Sequence, residues 1–154
     1  MRRRWWWILA AAVIVGVPVA WYLGSPLVLN RVVDEAAVVG AGELRGTFGG
    51  ADDFHQGSGT AVIVRTGAQR ILRFEEFRVT NGPDLYVYLA EHAQPRSRQD
   101  VAQGYLSLGK LKGNVGAQNY EIPPETDLAK YRSVVIYCQP FHVVFATAAL
   151  EAAQ

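Results

Sequence analysis

Cys138 and His142 are the residues with the most chemistry to offer. Cys138 is the only cysteine. The chain therefore has no internal disulfide, and in an oxidising compartment a single thiol is buried and inert, paired with another chain, or used. It ends the β-rich run Ser133 to Cys138. His142 follows across Gln139-Pro140, with Tyr137, Phe141 and Phe145 around the pair. A strand ending in Cys, a tight Pro-containing loop and a His form the local arrangement of mononuclear copper sites, where thiolate and imidazole are both ligands. Such a site needs a second histidine, and His55 and His92 are the candidates. The axial Met is missing because Met1 is the only methionine, which leaves Gln139 or a backbone oxygen for that position. A non-covalent haem held by Cys138 or by a histidine is the other cofactor these residues allow, since no C-x-x-C-H attachment sequence is present. The plain alternative is a core thiol, because free cysteine is among the most buried residue types.

Asp52, Asp53 and His55 form a second cluster in the Gly-bounded loop GGADDFHQGSG. They could hold a metal, or the Asp side chains could cap turns in a solvated loop. Glu75-Glu76 lie among arginines on a strand and read as surface pairs of little energetic weight. No Ser-His-Asp order, Gly-rich phosphate loop or His-Glu-x-x-His helix occurs, so hydrolase and nucleotide-enzyme readings have no residue support.

These residues need a compartment, and the N-terminus supplies one. Arg2, Arg3 and Arg4 precede an uncharged stretch from Trp5 to Leu23, about 28 Å long as a helix against a hydrocarbon core of about 30 Å. Trp5, Trp6 and Trp7 at one end and Trp21 and Tyr22 at the other match the aromatic belts of a membrane span, and the arginines keep the N-terminus cytoplasmic. The expectation is a single-pass anchor to the cell membrane, with the C-terminal domain extracytoplasmic. A cleaved secretory signal is the competing reading, although Pro18 sits at the −3 position of the nearest small-residue site. Without the three arginines the balance is 12 basic against 14 acidic residues. No basic block remains, which argues against nucleic-acid binding.

The organisation expected is a basic tail at 1–4, a transmembrane helix at 5–23, a juxtamembrane stalk at 24–43 with a short helix through Arg31 to Val39, and one domain at 44–150. Short strands punctuated by turns predict an all-β antiparallel sandwich or barrel of about seven to nine strands. Thr60 to Arg65 and Gln69 to Val79 form a hairpin about Thr66-Gly67. Asn81-Gly82-Pro83-Asp84 turns the chain into Asp84 to His92, whose two apolar faces place it centrally in the sheet. Residues 93–104 read as a loop with one helical turn, followed by strands at Tyr105 to Leu111 and Gln118 to Ile122. Pro124 opens a helical turn through Tyr131. Asn114, Gly116, Gln118 and Asn119 mark an irregular connection whose amides can satisfy backbone groups. Ser133 to Cys138 and Phe141 to Ala146 close the domain. The expected core is Val62, Val64, Leu72, Phe74, Leu85, Val87, Leu89, Val134, Ile136 and Phe145.

The segments NGPDLYVYL (81–89), GNVGAQNYEIP (113–123), DLAKYRSVVIYC (127–138) and FHVVFATAAL (141–150) resemble the electron-transfer DM-thirteen domain family, the module of Skeletor-type proteins. In bacteria the module occurs as a single membrane-anchored or lipoprotein domain. The resemblance spans about residues 40–150 and implies an all-β domain acting in redox or electron transfer, without identifying a donor, acceptor or cofactor; an extracytoplasmic redox protein is the partner such a role calls for. It also implies that Cys138, in the position of the family's cysteine, acts as a bare thiol or as a ligand to a prosthetic group. His142 is not a defining position of the family. The competing function is a cofactor-free binding or adhesion module in which Cys138 is a core residue.

Overall fold

The computed structural model describes residues 5–7, 12–19, 21, 24 and 29–153. Residues 5–7, 12–19, 21 and 24 are helical. The predicted transmembrane helix at 5–23 and the tail at 1–4 lie partly or wholly outside the described residues. Among the described residues no helix is long and apolar enough to cross a membrane.

The rest is an all-β antiparallel sheet curled into a nearly closed barrel. Its strands are β1 (Ala41–Gly50), β2 (Gly57–Thr66), β3 (Gln69–Val79), β4 (Leu85–Ala90), β5 (Tyr105–Lys110), β6 (Gln118–Ile122), β7 (Ser133–Cys138), β8 (Val143–Ala149) and β9 (Glu151–Ala152). They follow the order β5-β4-β7-β8-β1-β2-β3-β6, with β9 paired to β1. β1 joins the two halves: Ala41 to Thr47 pair with β2, and Phe48 to Gly50 pair with β8. The sequence conceals this strand because its glycines weaken the strand signal. Packing explains two of them: a Cβ at Gly46 would run into the Ala149 carbonyl and one at Gly50 into the His55 carbonyl.

The β2–β3 hairpin turns where Thr66-Gly67 predicts, with Gly67 at φ +61°. β4 lies between β5 and β7, and both of its faces are covered, as the two-sided apolar pattern requires. Inside the barrel, Phe48, Phe74, Phe77 and Tyr120 pack with ring centroids 4.7–5.3 Å apart, edge to face or tilted, the arrangement that ring quadrupoles favour. Leu72, Phe74, Leu85, Val87, Leu89, Val134, Ile136 and Phe145 join this core. Val62 and Val64 do not. They are buried on the opposite face, and Ala61 and Ile63 point inward instead. Both faces of TAVIVR are apolar, so alternation alone cannot choose between them.

Of the two expected helical turns, the one within residues 93–104 forms as expected and the later one departs from its bounds. α1 is Arg98–Val101, where the Ser97 hydroxyl caps the Asp100 N–H and the Asp100 carboxylate returns to the Ser97 N–H, a capping box. The later turn is 3-10 and spans only Leu128–Lys130. It starts downstream of Pro124 because Asp127 caps it.

Residues 31–39 are not helical, and residues 31–36 do not stand off the domain as a stalk. Val33 and Glu35 donate their N–H groups to the Val115 and Ala117 carbonyls at 2.9 and 3.0 Å. The Glu35 carboxylate accepts from Lys112 Nζ at 2.7 Å and from the Asn119 N–H at 2.6 Å. Lys112 follows β5 and Asn119 belongs to β6, so this strap spans the seam where the barrel's two end strands meet. Gly113 and Gly116 admit it, because a Cβ at either would strike the backbone of Arg31 or Val33.

Candidate functional site

Cys138 sits at the C-terminal end of β7, where strand alternation turns it inward with Val134 and Ile136. It is fully buried. Its Sγ donates to the Pro83 carbonyl at 3.1 Å, and the strand partners of Cys138 are Leu85 on β4 and Val143 on β8. The turn Asn81-Gly82-Pro83-Asp84 thus forms the ceiling over the thiol. Gly82 is required there, since a Cβ would lie 2.6 Å from the Phe145 ring. Phe145 itself occupies a β-bulge in the β7–β8 ladder, between the pairs Ile136↔Ala146 and Tyr137↔Val144, which lets consecutive residues Phe145 and Ala146 both face the core.

His142 is exposed at the end of the Gln139 to His142 turn, with φ +56°. Its ring lies 6.3 Å from that of Tyr137, on the outer face of the sheet. Cys138 and His142 are therefore close in sequence and turned to opposite sides of the sheet. His92 is at the other end of β7, since it follows Ala90, the partner of Ser133, and five strand residues correspond to roughly 17 Å. His55 is the histidine brought toward the Cys138 end: its ring packs 4.3 Å from that of Phe145, which itself lies against Gly82. These residues do not fit a common metal or haem iron. Among the described residues no group of three or more His, Cys, Asp or Glu side chains could hold a metal ion.

The Asp52-His55 loop is tied to itself. One Asp52 oxygen accepts the Phe54 and His55 N–H groups at 2.8 Å each, and the other lies 2.7 Å from His55 Nδ1. The hydrogen bonds from His55 hold the Asp52 carboxyl below its usual range. This is the turn-capping arrangement rather than an open ligand set.

Two further features stand out, the first in line with the backbone-satisfying role the sequence suggests for the Gln118 amide, the second not legible as a site in the sequence. The first is a polar plug at one barrel end: fully buried Gln118 accepts from the Gly113 N–H and the Tyr120 hydroxyl, and donates to the Gly113 carbonyl at 2.7 Å. The second is an aromatic array on the outer face of β5-β4-β7. Tyr88 stacks on Tyr105 with centroids 4.5 Å apart and an angle of 23°, and it lies 5.4 Å from Tyr137 and 6.2 Å from Tyr86. Burial, with Tyr105, Tyr137 and Tyr86 nearby, pushes the Tyr88 phenol up to about 12. The period-two spacing of Tyr86 and Tyr88 is its sequence signal, but nothing local announces that Tyr105 and Tyr137 join them.

The fold and site define a small antiparallel barrel with a single enclosed thiol beneath a Gly-Pro turn. The family model described as Electron transfer DM13 matches residues 47–150. The chain belongs to this family, an electron-transfer domain at the coarse level its description gives. No curated protein and no solved structure matches the chain.

Proposed function

We propose that this protein is a single membrane-anchored electron-transfer domain of the bacterial type, held outside the cytoplasm, with Cys138 as its redox-active group. Family membership carries the reading, together with the position of Cys138 at the end of β7. The anchor rests on the arginines at 2–4 and on the exposed Trp5, Trp6, Trp7, Ile14, Val15 and Trp21, an apolar surface suited to lipid.

The enclosed thiol favours one kind of redox chemistry. Attack on a partner disulfide requires contact with the sulfur and a thiolate, and Cys138 has neither access nor a basic neighbour in hydrogen-bond contact. Loss of one electron from the thiol to an oxidised partner across the barrel wall, with the S–H proton released to water, needs no contact with the sulfur, and a reduced partner returns the electron as water returns the proton. The bare thiol is thus preferred to a Cys138-His142 ligand pair, whose members face apart.

The same burial favours a second reading, a cofactor-free binding module with Cys138 as core filler. The two separate in one experiment on the full chain and its Cys138→Ser variant. Redox titration with mediators should give a response in the wild type that the variant lacks. Identical traces from both would leave Cys138 as core and sink the redox reading.

A further inference from the structure

We infer that the outer-face tyrosines form a one-electron relay from the protein surface at Tyr105, through Tyr88, to Tyr137, the residue bonded to Cys138. The inference deepens the electron-transfer reading by naming the route, and it rests on that reading for its purpose. It does not require Cys138 to be the terminus.

The geometry has three parts. Tyr105 is 51% exposed on edge strand β5, so a partner's redox group can approach it. Tyr88 is 2% exposed and bridges the other two rings at 4.5 and 5.4 Å. Tyr137 is 5% exposed and alternates with Cys138 on β7, so the array ends one peptide unit from the enclosed thiol. Val101 of α1, Val135, Val144 and Ala90 wall the array with side chains that are not readily oxidised. Packing alone would be served by Phe or Leu at the two buried positions. Phenols add a group that can lose an electron, at the cost of a hydroxyl on a largely apolar face.

Each step balances. An external one-electron oxidant of high potential takes an electron from the Tyr105 phenol, the O–H bond breaks, and the proton passes to water. A phenoxyl radical remains. Tyr88 then gives an electron to that radical and its own proton to water, while Tyr105 regains a proton from water. Repetition places the radical on Tyr137. A reduced partner returns it to phenol by supplying one electron, with a proton from water.

The test replaces Tyr137 by aminotyrosine in the full chain, a lower-potential trap whose radical has its own electron paramagnetic resonance signature. Tyr105 is oxidised by a ruthenium polypyridyl photo-oxidant with a sacrificial acceptor. The trap radical should form, and Tyr88→Phe, which keeps the ring and removes the oxidisable hydroxyl, should abolish it. An undiminished trap signal in Tyr88→Phe overturns the relay. If thermal melting shows that Tyr88→Phe is misfolded, the exposed substitution Tyr105→Phe decides instead: loss of the signal supports the relay and retention overturns it. The arms are independent of the thiol. A working relay beside a Cys138 that gives no redox response overturns the preceding proposal alone, and a failed relay beside a responsive Cys138 overturns this one alone.

Discussion

The Cys138 thiol donates its proton to the Pro83 carbonyl at 3.1 Å, across the turn that leads into the strand beside it. This contact makes a specific demand on substitution. Cys138→Ser keeps a donor in the same place and should cost about 1 kcal/mol, from a more polar group in an apolar site. Cys138→Leu must force extra carbons against Leu85 and Val143 and should cost about 1–3 kcal/mol. Urea denaturation of the full chain measures both, and a Leu variant as stable as the Ser variant would show that the thiol pocket has room the structure does not give it. The thiol should also react with a disulfide reagent only after unfolding.

His142 closes the β7–β8 turn in the left-handed region, φ +56°, which a residue with a Cβ adopts at a cost. Its ring is exposed, so little packing offsets that cost. His142→Gly should therefore be neutral or stabilising by up to about 1 kcal/mol. The redox response attributed to Cys138 should persist in this variant. Loss of that response would instead make His142 a partner of the thiol.

Glu35 gives the strap a pH dependence. Burial pushes its carboxyl up, but Lys112 and the Asn119 N–H outweigh this and hold it below its ordinary value of 4.5. A folded-state value below the unfolded one stabilises the fold at pH above about 4.5, and the contribution is lost as pH falls through the folded value. Glu35→Gln should consequently be less stable than wild type at neutral pH, and the two melting temperatures should converge in acid. A difference that stays constant down to acid pH would show that the carboxylate charge is not what fastens the strap.

Gly116 adopts φ +102° beneath Val33. Gly116→Ala combines an unfavourable backbone with a collision against the Val33 carbonyl, and should destabilise by more than about 1 kcal/mol. Limited proteolysis should show cleavage within residues 31–36 in the variant before the barrel itself is cut. Resistance equal to wild type would mean that the strap does not depend on this close approach.

Topology is testable without purification. A reporter active only outside the cytoplasm, fused after Gln154, should give signal in the full chain, and the mature protein should keep Arg2 to Arg4. Reporter activity confined to the cytoplasm would reverse the orientation. A mature chain starting near Trp21 would make the segment a cleaved signal.

Alternation and turn chemistry make much of the barrel legible in the order of residues. The two apolar faces of β4 require neighbours on both sides, and Thr66-Gly67 sets the first hairpin, because side-chain period and glycine's freedom act within a few residues. The same local rules fail where the deciding contact is distant. β1 carries Gly46 where the Ala149 carbonyl approaches it and Gly50 where the His55 carbonyl does. The inward choice of Ala61 and Ile63 over Val62 and Val64 depends on which face the closed sheet turns inward. The strap's role comes from Lys112 and Asn119, far along the chain.

The candidate site divides in the same way. The sequence by itself determined that one thiol ends a strand near a histidine, that no second cysteine can pair with it, and which family the motifs resemble, since residue identity and order decide these. Only the tertiary structure decided that Cys138 faces in while His142 lies out beside Tyr137, that His55 approaches the same barrel end, and that four tyrosines from three strands share one surface. Side-chain direction depends on strand register, bulges and closure of the sheet, and those are settled by packing between residues the chain itself keeps far apart.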